Sequence, residues 1–404
     1  MESALGAIDA RAREELERWG VPGLVVGVLA DGDTAARAWG VADLETGEPV
    51  TPATSFRVAS VTKPFTAALA RTVLDLDAPL ETPAGPATAR QLLAHVGGLR
   101  SEAERPLDAY ASVSEAVAGA RLRAWGEPGR LWLYANAGYW LVGAAVERAA
   151  GVPFDEAMRE RVLEPLRLAA TGFGDPVAAG HEPVEPGARE HRRYPVAVYP
   201  AARRPSGGLV STVGDLLRFA AAAAEDGDAG TVVAERPAGA QGAGWMLFRR
   251  SGVEVLFHPG SVAGYQSTLT LVPERGVAVA ALANSARGSA AFGPVVEALL
   301  EALAGVPPWT PRLVEAAADD LAALAGRYEA PDADAVVEAV PGGLRVRLAE
   351  LDPITGEPSP SPPLLGRPLA ARTFAVVDGE AAGAVFDFPD GYLRLGSVLA
   401  ERVG

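Results

Sequence analysis

The chain contains no cysteine, which excludes disulfides, thiolate nucleophiles and cysteine-based zinc sites. It contains a single lysine: 35 of its 36 basic residues are arginine, and Lys63 is the exception. Asparagine is almost as scarce, present only as Asn136 and Asn284. Positive charge is in deficit, with 51 acidic residues and a net charge of −15. The resulting field repels polyanions, so no nucleic-acid or anionic-membrane partner is expected. No apolar run reaches the ~20 residues of a membrane-spanning helix. The opening stretch MESALGAIDARAREELERWG has acids where a signal peptide carries basic charge, and no apolar core, so a cytoplasmic chain is expected.

Several motifs are also missing. There is no Gly-x-Ser-x-Gly elbow, no His-Glu-x-x-His pair and no phosphate-loop sequence, so neither metal nor cofactor is expected. His181 and His191 lie in the Pro- and Arg-rich loop 176–208 and are expected to be solvated. Arg192-Arg193 and Arg203-Arg204 are read as exposed charge, with one of them available to an anionic substrate if the loop nears a cleft.

What is present is 404 residues, 49% hydrophobic, enough for two or three domains. Residues 2–19 carry apolar side chains at helical spacing and stop at Gly20. Two strand-like runs follow, Leu24–Ala30 and Thr34–Val41, around an Asp31-Gly32 turn. From 60 to 225 the pattern is mostly helical: 60–74, 87–95, 113–121, 138–150, 154–163 and 213–224. Three strands, 253–257, 266–272 and 276–283, then precede a helix over 291–303. This order predicts an α+β layered domain over 1–304, its antiparallel sheet assembled from both ends of the segment. Residues 305–320 read as a linker. Residues 321–404, with short β-like runs such as 335–340, 344–348, 374–377 and 384–388 and a Pro-rich stretch at 353–368, predict a small all-β barrel.

The lone lysine lies three residues after Ser60, in Arg-Val-Ala-Ser-Val-Thr-Lys-Pro-Phe. With 16 serines in the chain, a lysine placed at random would land there about 4% of the time, so its position carries information. In a helix starting near Ser60, hydroxyl and amine share one face, and Ser60 sits at the positive end of the helix dipole. Pro64 is tolerable in the first turn, where N–H groups lack intrahelical partners. A desolvated, neutral Lys63 can take the Ser60 proton and make it a nucleophile, a role closed to arginine.

A second signal is Tyr134-Ala-Asn136, read as a loop ahead of helix 138–150. It offers a phenol as proton carrier and an amide for a substrate carbonyl. A third is His258-Pro-Gly-Ser261, at the end of a strand. Gly260 permits close backbone approach, and the Ser261 N–H is a candidate second oxyanion donor beside that of Ser60. Pro259 cannot pair through nitrogen, so this strand edge is expected to be open.

Ser60-x-x-Lys63, Tyr134-x-Asn136 and His258-x-Gly260, in this order, resemble the serine β-lactamase and penicillin-binding-protein superfamily, most closely its class C-like branch of esterases, D-aminopeptidases and peptide-cyclising thioesterases. Gln91-Leu-Leu-Ala-His95-Val-Gly-Gly-Leu99, Gly207-Gly-Leu-Val-Ser211 and the segment 260–285 are similar to that branch too, so the likeness covers roughly 5–304. Leu324-Ala-Gly-Arg-Tyr-Glu329 is similar to the lipocalin-like barrels appended to some members. The resemblance implies a β-lactamase-like fold and a serine hydrolase acting on a small-molecule or peptide acyl group. It implies Ser60 as acylated nucleophile, Lys63 and Tyr134 as coupled base, Asn136 as substrate-amide binder, and His258, Gly260 and Ser261 along the opposite wall. In its β-lactamases and D,D-peptidases the third motif has lysine where this chain has His258. The loss of that cation favours esters, amides or amino-terminal D-residues over β-lactams. An acyltransferase or peptide cyclase would use the same residues.

Overall fold

The computed structural model describes residues 1–404 except 105, 106, 108, 109, 186, 196–198, 332, 352–357, 380 and 404; parts of the 176–208 loop and of the Pro-rich stretch therefore lie outside the described residues. The N-terminal helical stretch breaks at Ile8, and its second part, α1 (Asp9–Trp19), ends at Gly20 in the left-handed conformation, the expected stop. Next come β1 (Gly23–Ala30) and β2 (Asp33–Gly40). The helical region contains α2 (Thr62–Val73), α3 (Asn136–Ala150) and α4 (Val213–Glu225). Six strands follow: β3 (Ala234–Arg236), β4 (Gly239–Gln241), β5 (Met246–Arg250), β6 (Val253–Val262), β7 (Tyr265–Val272) and β8 (Val277–Ala283), and then α5 (Gly288–Ala304).

These strands make one antiparallel sheet in the order β3-β4-β5-β6-β7-β8-β1-β2. Its two halves join where β1 pairs with β8, from Leu24 opposite Ala283 to Leu29 opposite Ala278. The sheet is thus assembled from both ends of the segment, as expected, but has eight strands rather than five. The three extra strands carry short mixed runs such as Ala-Glu-Arg and Gly-Ala-Gln, which have no apolar alternation to reveal them.

Both faces of the sheet are covered, so β1 reads as the unbroken apolar run GLVVGVLA. Leu24, Val26 and Val28 pack toward α1 and α5; Val25 and Leu29 pack toward α2 and α4. Gly27 shares the second face, where a Cβ would come within 3.0 Å of Leu217 and Val213 on α4. The absent side chain is what lets α4 lie this close. Burying each Val or Leu contributes roughly 1.5–3 kcal/mol.

Beyond α5, residues 305–317 form no regular element, and a short helix (Ala318–Leu324) leads into eight barrel strands between Gly326 and Val403. Each pairs with the next along the chain, and the last returns to the first, with Arg327 opposite Val403. A further short strand, Pro358–Pro360, pairs with the end of the third. This is a closed up-and-down barrel. Tyr328, Leu344, Val346, Phe374, Phe386, Phe388 and Leu393 fill its interior. The barrel docks through Arg394, which grips Asp387 (Nε to Oδ1 2.7 Å), donates to the Trp132 carbonyl at 2.6 Å, and lies 5.8 Å from the Trp132 ring centroid. Arg100 donates to the Leu399 carbonyl at 3.2 Å.

The histidines of the 176–208 loop are not solvated, contrary to expectation: His181 is fully buried and His191 nearly so. His181 Nε2 accepts from the Leu44 N–H at 3.2 Å while Nδ1 donates to the Asn284 carbonyl at 3.1 Å. His191 Nε2 lies 2.9 Å from Ser285 Oγ. A polar loop can bury imidazoles when both nitrogens find partners, and here they pin the loop to the end of β8. Asn284 serves the same junction, donating to the carbonyls of Val41 and Ala42 at 3.2 and 2.9 Å. No helix of the described residues is long and apolar enough to cross a membrane.

Candidate active site

Ser60 lies in a 3₁₀ turn (Ala59–Val61) that runs directly into α2, with Pro64 in the first helical turn. Ala59, just before it, has φ +46°, a left-handed conformation that costs a non-glycine residue roughly 1–2 kcal/mol. The surroundings hold this geometry: the Val58 N–H donates to the Leu209 carbonyl at 3.0 Å, and Ser267 Oγ donates to the Val58 carbonyl at 2.8 Å. Gly260 on β6 packs against the same carbonyl; a Cβ there would lie 2.3 Å from it and 2.2 Å from Ser267 Oγ. The nucleophile turn is therefore seated directly on β6.

Lys63 is fully buried. Its Nζ lies 3.1 Å from Ser60 Oγ, 2.8 Å from Asn136 Oδ1 and 2.7 Å from the Ser206 carbonyl. Burial pulls its pKa well below the ordinary lysine value, partly opposed by the negative charge of Glu102. The Tyr134 phenol is hydrogen-bonded to Ser60, and burial raises its pKa, so it keeps its proton. Lys63 Nζ sits 4.9 Å from the Tyr134 ring centroid and 5.2 Å from that of Tyr139.

Asn136 is the first residue of α3 rather than part of a preceding loop. Its amide is engaged at both ends: the oxygen faces Lys63, and the nitrogen donates to Ser101 Oγ at 3.1 Å and Glu102 Oε1 at 3.0 Å. The carboxylate can only accept, which fixes the amide orientation. A substrate carbonyl reaching this nitrogen must therefore displace Glu102 or Ser101. Glu102 is also paired with Arg203 at 2.9 Å, so one of the loop arginines does border the site.

His258 is fully buried on β6, its ring 6.3 Å from that of Tyr134. Nδ1 donates to the Pro259 carbonyl at 2.7 Å, which leaves Nε2 as an unprotonated acceptor without a partner among the described residues. Burial and the proximity of Lys63 push its pKa down to about 3, so the ring is neutral. Pairing of β5 with β6 stops at Met246 opposite Phe257, and 258–262 keep one edge free of any described strand. This is the open edge expected from Pro259, and it carries Gly260 and the exposed Ser261.

The structure thus gathers Ser60, Lys63, Tyr134 and Asn136 into one hydrogen-bonded group, with His258, Gly260 and Ser261 on the adjoining strand. Three contributors carried no sequence signal of their own, unlike Arg203, one of the loop arginines already noted. The Ser206 carbonyl is backbone, and Glu102 is a single member of an abundant residue type. His95 stacks on Tyr134 at 4.3 Å while its Nδ1 accepts from the Ala135 N–H at 3.0 Å. It lies in a segment noted only for its likeness. Beside Tyr134 and Trp132 opens a cavity of about 1340 Å³ lined by the β3–β7 part of the sheet, α1, α5, the segment after α5 and the barrel.

The chain is 29% identical to penicillin-binding protein 4 of Amycolatopsis lactamdurans over 373 residues, covering 76% of this chain and 93% of that one. It is 30% identical to a D-aminopeptidase of Gluconobacter oxydans over 190 residues, 42% of this chain and 34% of the other. Among solved structures, SurE superposes with a TM-score of 0.76 at 28% identity over 100% of both chains, the barrel included, and a further SurE structure holds D-Leu. The profile of the Beta-lactamase family matches residues 8–304. The chain is a hydrolase-type enzyme and belongs to the beta-lactamase family of serine hydrolases.

Proposed function

We propose that the enzyme cleaves an ester or amide of a D-configured residue through an acyl-enzyme on Ser60. The observation that carries this reading is the pattern of contacts around Lys63 Nζ. Two of its three neighbours, the Asn136 amide oxygen and the Ser206 carbonyl, can only accept hydrogen bonds. They take both N–H groups of a neutral amine, and the lone pair is left for the Ser60 hydroxyl at 3.1 Å.

Ser60 Oγ attacks the substrate carbonyl as its proton passes to Lys63 Nζ. The oxyanion of the tetrahedral intermediate is stabilised by the N–H groups of Ser60 and Ser261. As the intermediate collapses, the proton moves from Lys63 through the Tyr134 hydroxyl to the leaving group. A water then attacks the acyl-enzyme by the reverse route and frees Ser60. The D-configuration is supported by the D-aminopeptidase relative and by D-Leu in the SurE structure. A second reading, transfer of the acyl group to an amine or alcohol, including the amino end of the same peptide, is favoured by the cavity of about 1340 Å³, which has room for a peptide acceptor beside Tyr134.

The test is intact-mass analysis with p-nitrophenyl esters and amides of D- and L-amino acids, with nitrocefin alongside. D-esters are expected to give an adduct on Ser60 that is absent in Ser60→Ala. Lys63→Arg should lower the acylation rate by about a thousandfold or more, since arginine stays protonated and cannot accept the proton. Wild-type-like acylation in Lys63→Arg would overturn the mechanism. An added amine that diverts product from acid to amide identifies transfer.

A further inference from the structure

The cavity lined by the sheet, α5 and the barrel has six arginines on its walls, and three of them are ion-paired. Arg394 is paired with Asp387, Arg250 with Glu297 and Arg249 with Glu254. Arg236, the last residue of β3, has no carboxylate partner among the described residues. Its Nε donates to the Ala240 carbonyl at 3.1 Å, and its guanidinium carbon lies 5.5 Å from the Phe257 ring centroid. Arg11, on α1, and Arg312, beyond α5, also lack a carboxylate partner among the described residues, so what sets Arg236 apart is its place beside Phe257 and within electrostatic reach of His258.

Arg236 is half-buried, and desolvation with no neighbouring charge to offset it pulls its pKa down to about 10, so the cation is uncompensated. One of its five N–H donors is used, and the fork formed by the two terminal nitrogens remains for a planar, two-oxygen acceptor. Position gives the fork its meaning. Arg236 and Tyr134 border the same cavity, and Arg236 lies close enough to His258 to help suppress its protonation. The positive charge absent from position 258 is thus present nearby, delivered from β3 at the edge of the same sheet.

We propose that Arg236 binds a carboxylate of the substrate, in the part of the molecule that occupies this cavity while its acyl carbon is at Ser60. The substrate class becomes a carboxylate-bearing D-residue ester or amide, and the inference rests on the acyl-enzyme reading above. Arg236 sets specificity and takes no part in proton transfer.

The test uses two matched pairs of D-leucine esters, each differing only in a carboxylate replaced by a carboxamide. One pair carries the group on the leaving side (lactate against lactamide), the other on the acyl side (N-succinyl against N-succinamoyl). Ser60 acylation is followed by rapid-quench intact mass. The wild type is expected to favour the carboxylate member of one pair by about tenfold or more in kcat/KM. In Arg236→Gln that ratio should fall to within about twofold of unity, and Arg236→Lys should retain part of it. Because each ratio is internal to one variant, a general loss of activity or of folded protein does not mimic the result. A wild type that discriminates neither pair, or a preference that survives in Arg236→Gln, overturns the assignment while the Ser60 adduct stands. Absence of a Ser60 adduct with all four esters overturns the acyl-enzyme reading and this inference with it.

Discussion

Replacing Glu102 by glutamine should move the acid limb of the pH–rate profile to lower pH. Glu102 is joined to Lys63 through the Asn136 amide, by contacts of 3.0 and 2.8 Å. Its negative charge raises the lysine pKa against the larger downward effect of burial. Across the amide the two charges stand roughly 7 Å apart, and at an effective dielectric of about 20 they attract by about 2 kcal/mol. That corresponds to roughly 1.5 pH units. The glutamine side chain can still accept from Asn136 through its own amide oxygen, so the hydrogen-bond chain persists. Arg203, now without its partner at 2.9 Å, adds positive charge and pushes in the same direction. The neutral, base-competent Lys63 therefore persists to lower pH, and the acid limb of kcat/KM should fall by about 1–2 units. The assay is stopped-flow acylation by a D-amino acid p-nitrophenyl ester between pH 5 and 10, corrected for spontaneous hydrolysis. An acid limb that stays in place, or moves to higher pH, would refute the assignment of that limb to Lys63.

Gly260→Ala should reduce acylation by about a hundredfold with a smaller effect on unfolding, because the new methyl is directed at the Val58 carbonyl and displaces the turn that presents Ser60; kcat/KM and a urea melt on one preparation separate the two effects. Arg394→Met should cost about 2–4 kcal/mol, since it leaves the partly buried Asp387 without a counter-charge and the Trp132 carbonyl without its donor. A loss below 1 kcal/mol in chemical denaturation would contradict this. Stability should also fall on acidification. His258 has a folded pKa near 3 against an ordinary 6.5, so its contribution is complete above about pH 6.5 and is lost as pH falls toward 3, at about 1.4 kcal/mol per unit. His258→Gln should flatten the measured dependence between pH 6.5 and 4.5 by that slope.

The chemistry was legible in the sequence where it depended on rare residue types. One lysine and two asparagines made Lys63 and Asn136 conspicuous, and their spacing from Ser60 and Tyr134 did the rest. The setting of those groups was not legible, because it is built from backbone and from common residues. The carbonyl of Ser206 has no side-chain signature, and Glu102 is one acid among 51. The fold followed the same division. β1 and its neighbour β8 announced themselves by unbroken apolar runs, whereas β3, β4 and β5, at one side of the sheet, are short and mixed. Asn136 was expected in a loop because helix propensity becomes clear only from Gly138 onward; in the structure it starts α3, and this placement turns its amide toward Lys63.

The pairing of β1 with β8 has a consequence for the chain as it leaves the ribosome. Leu24 meets Ala283, so more than 250 residues must be made before β1 finds its second neighbour. At translation rates of about 10 residues per second that is a wait of roughly 25 s. Meanwhile the β1–β2 hairpin presents an apolar, uncharged segment with an open hydrogen-bonding edge, the profile of an aggregation nucleus. The barrel has the opposite character: seven of its eight closing contacts join consecutive strands, so it can form soon after synthesis. Overproduction of this enzyme should therefore be limited by the fate of its first thirty residues, and chaperone capacity or slower synthesis should improve the soluble yield.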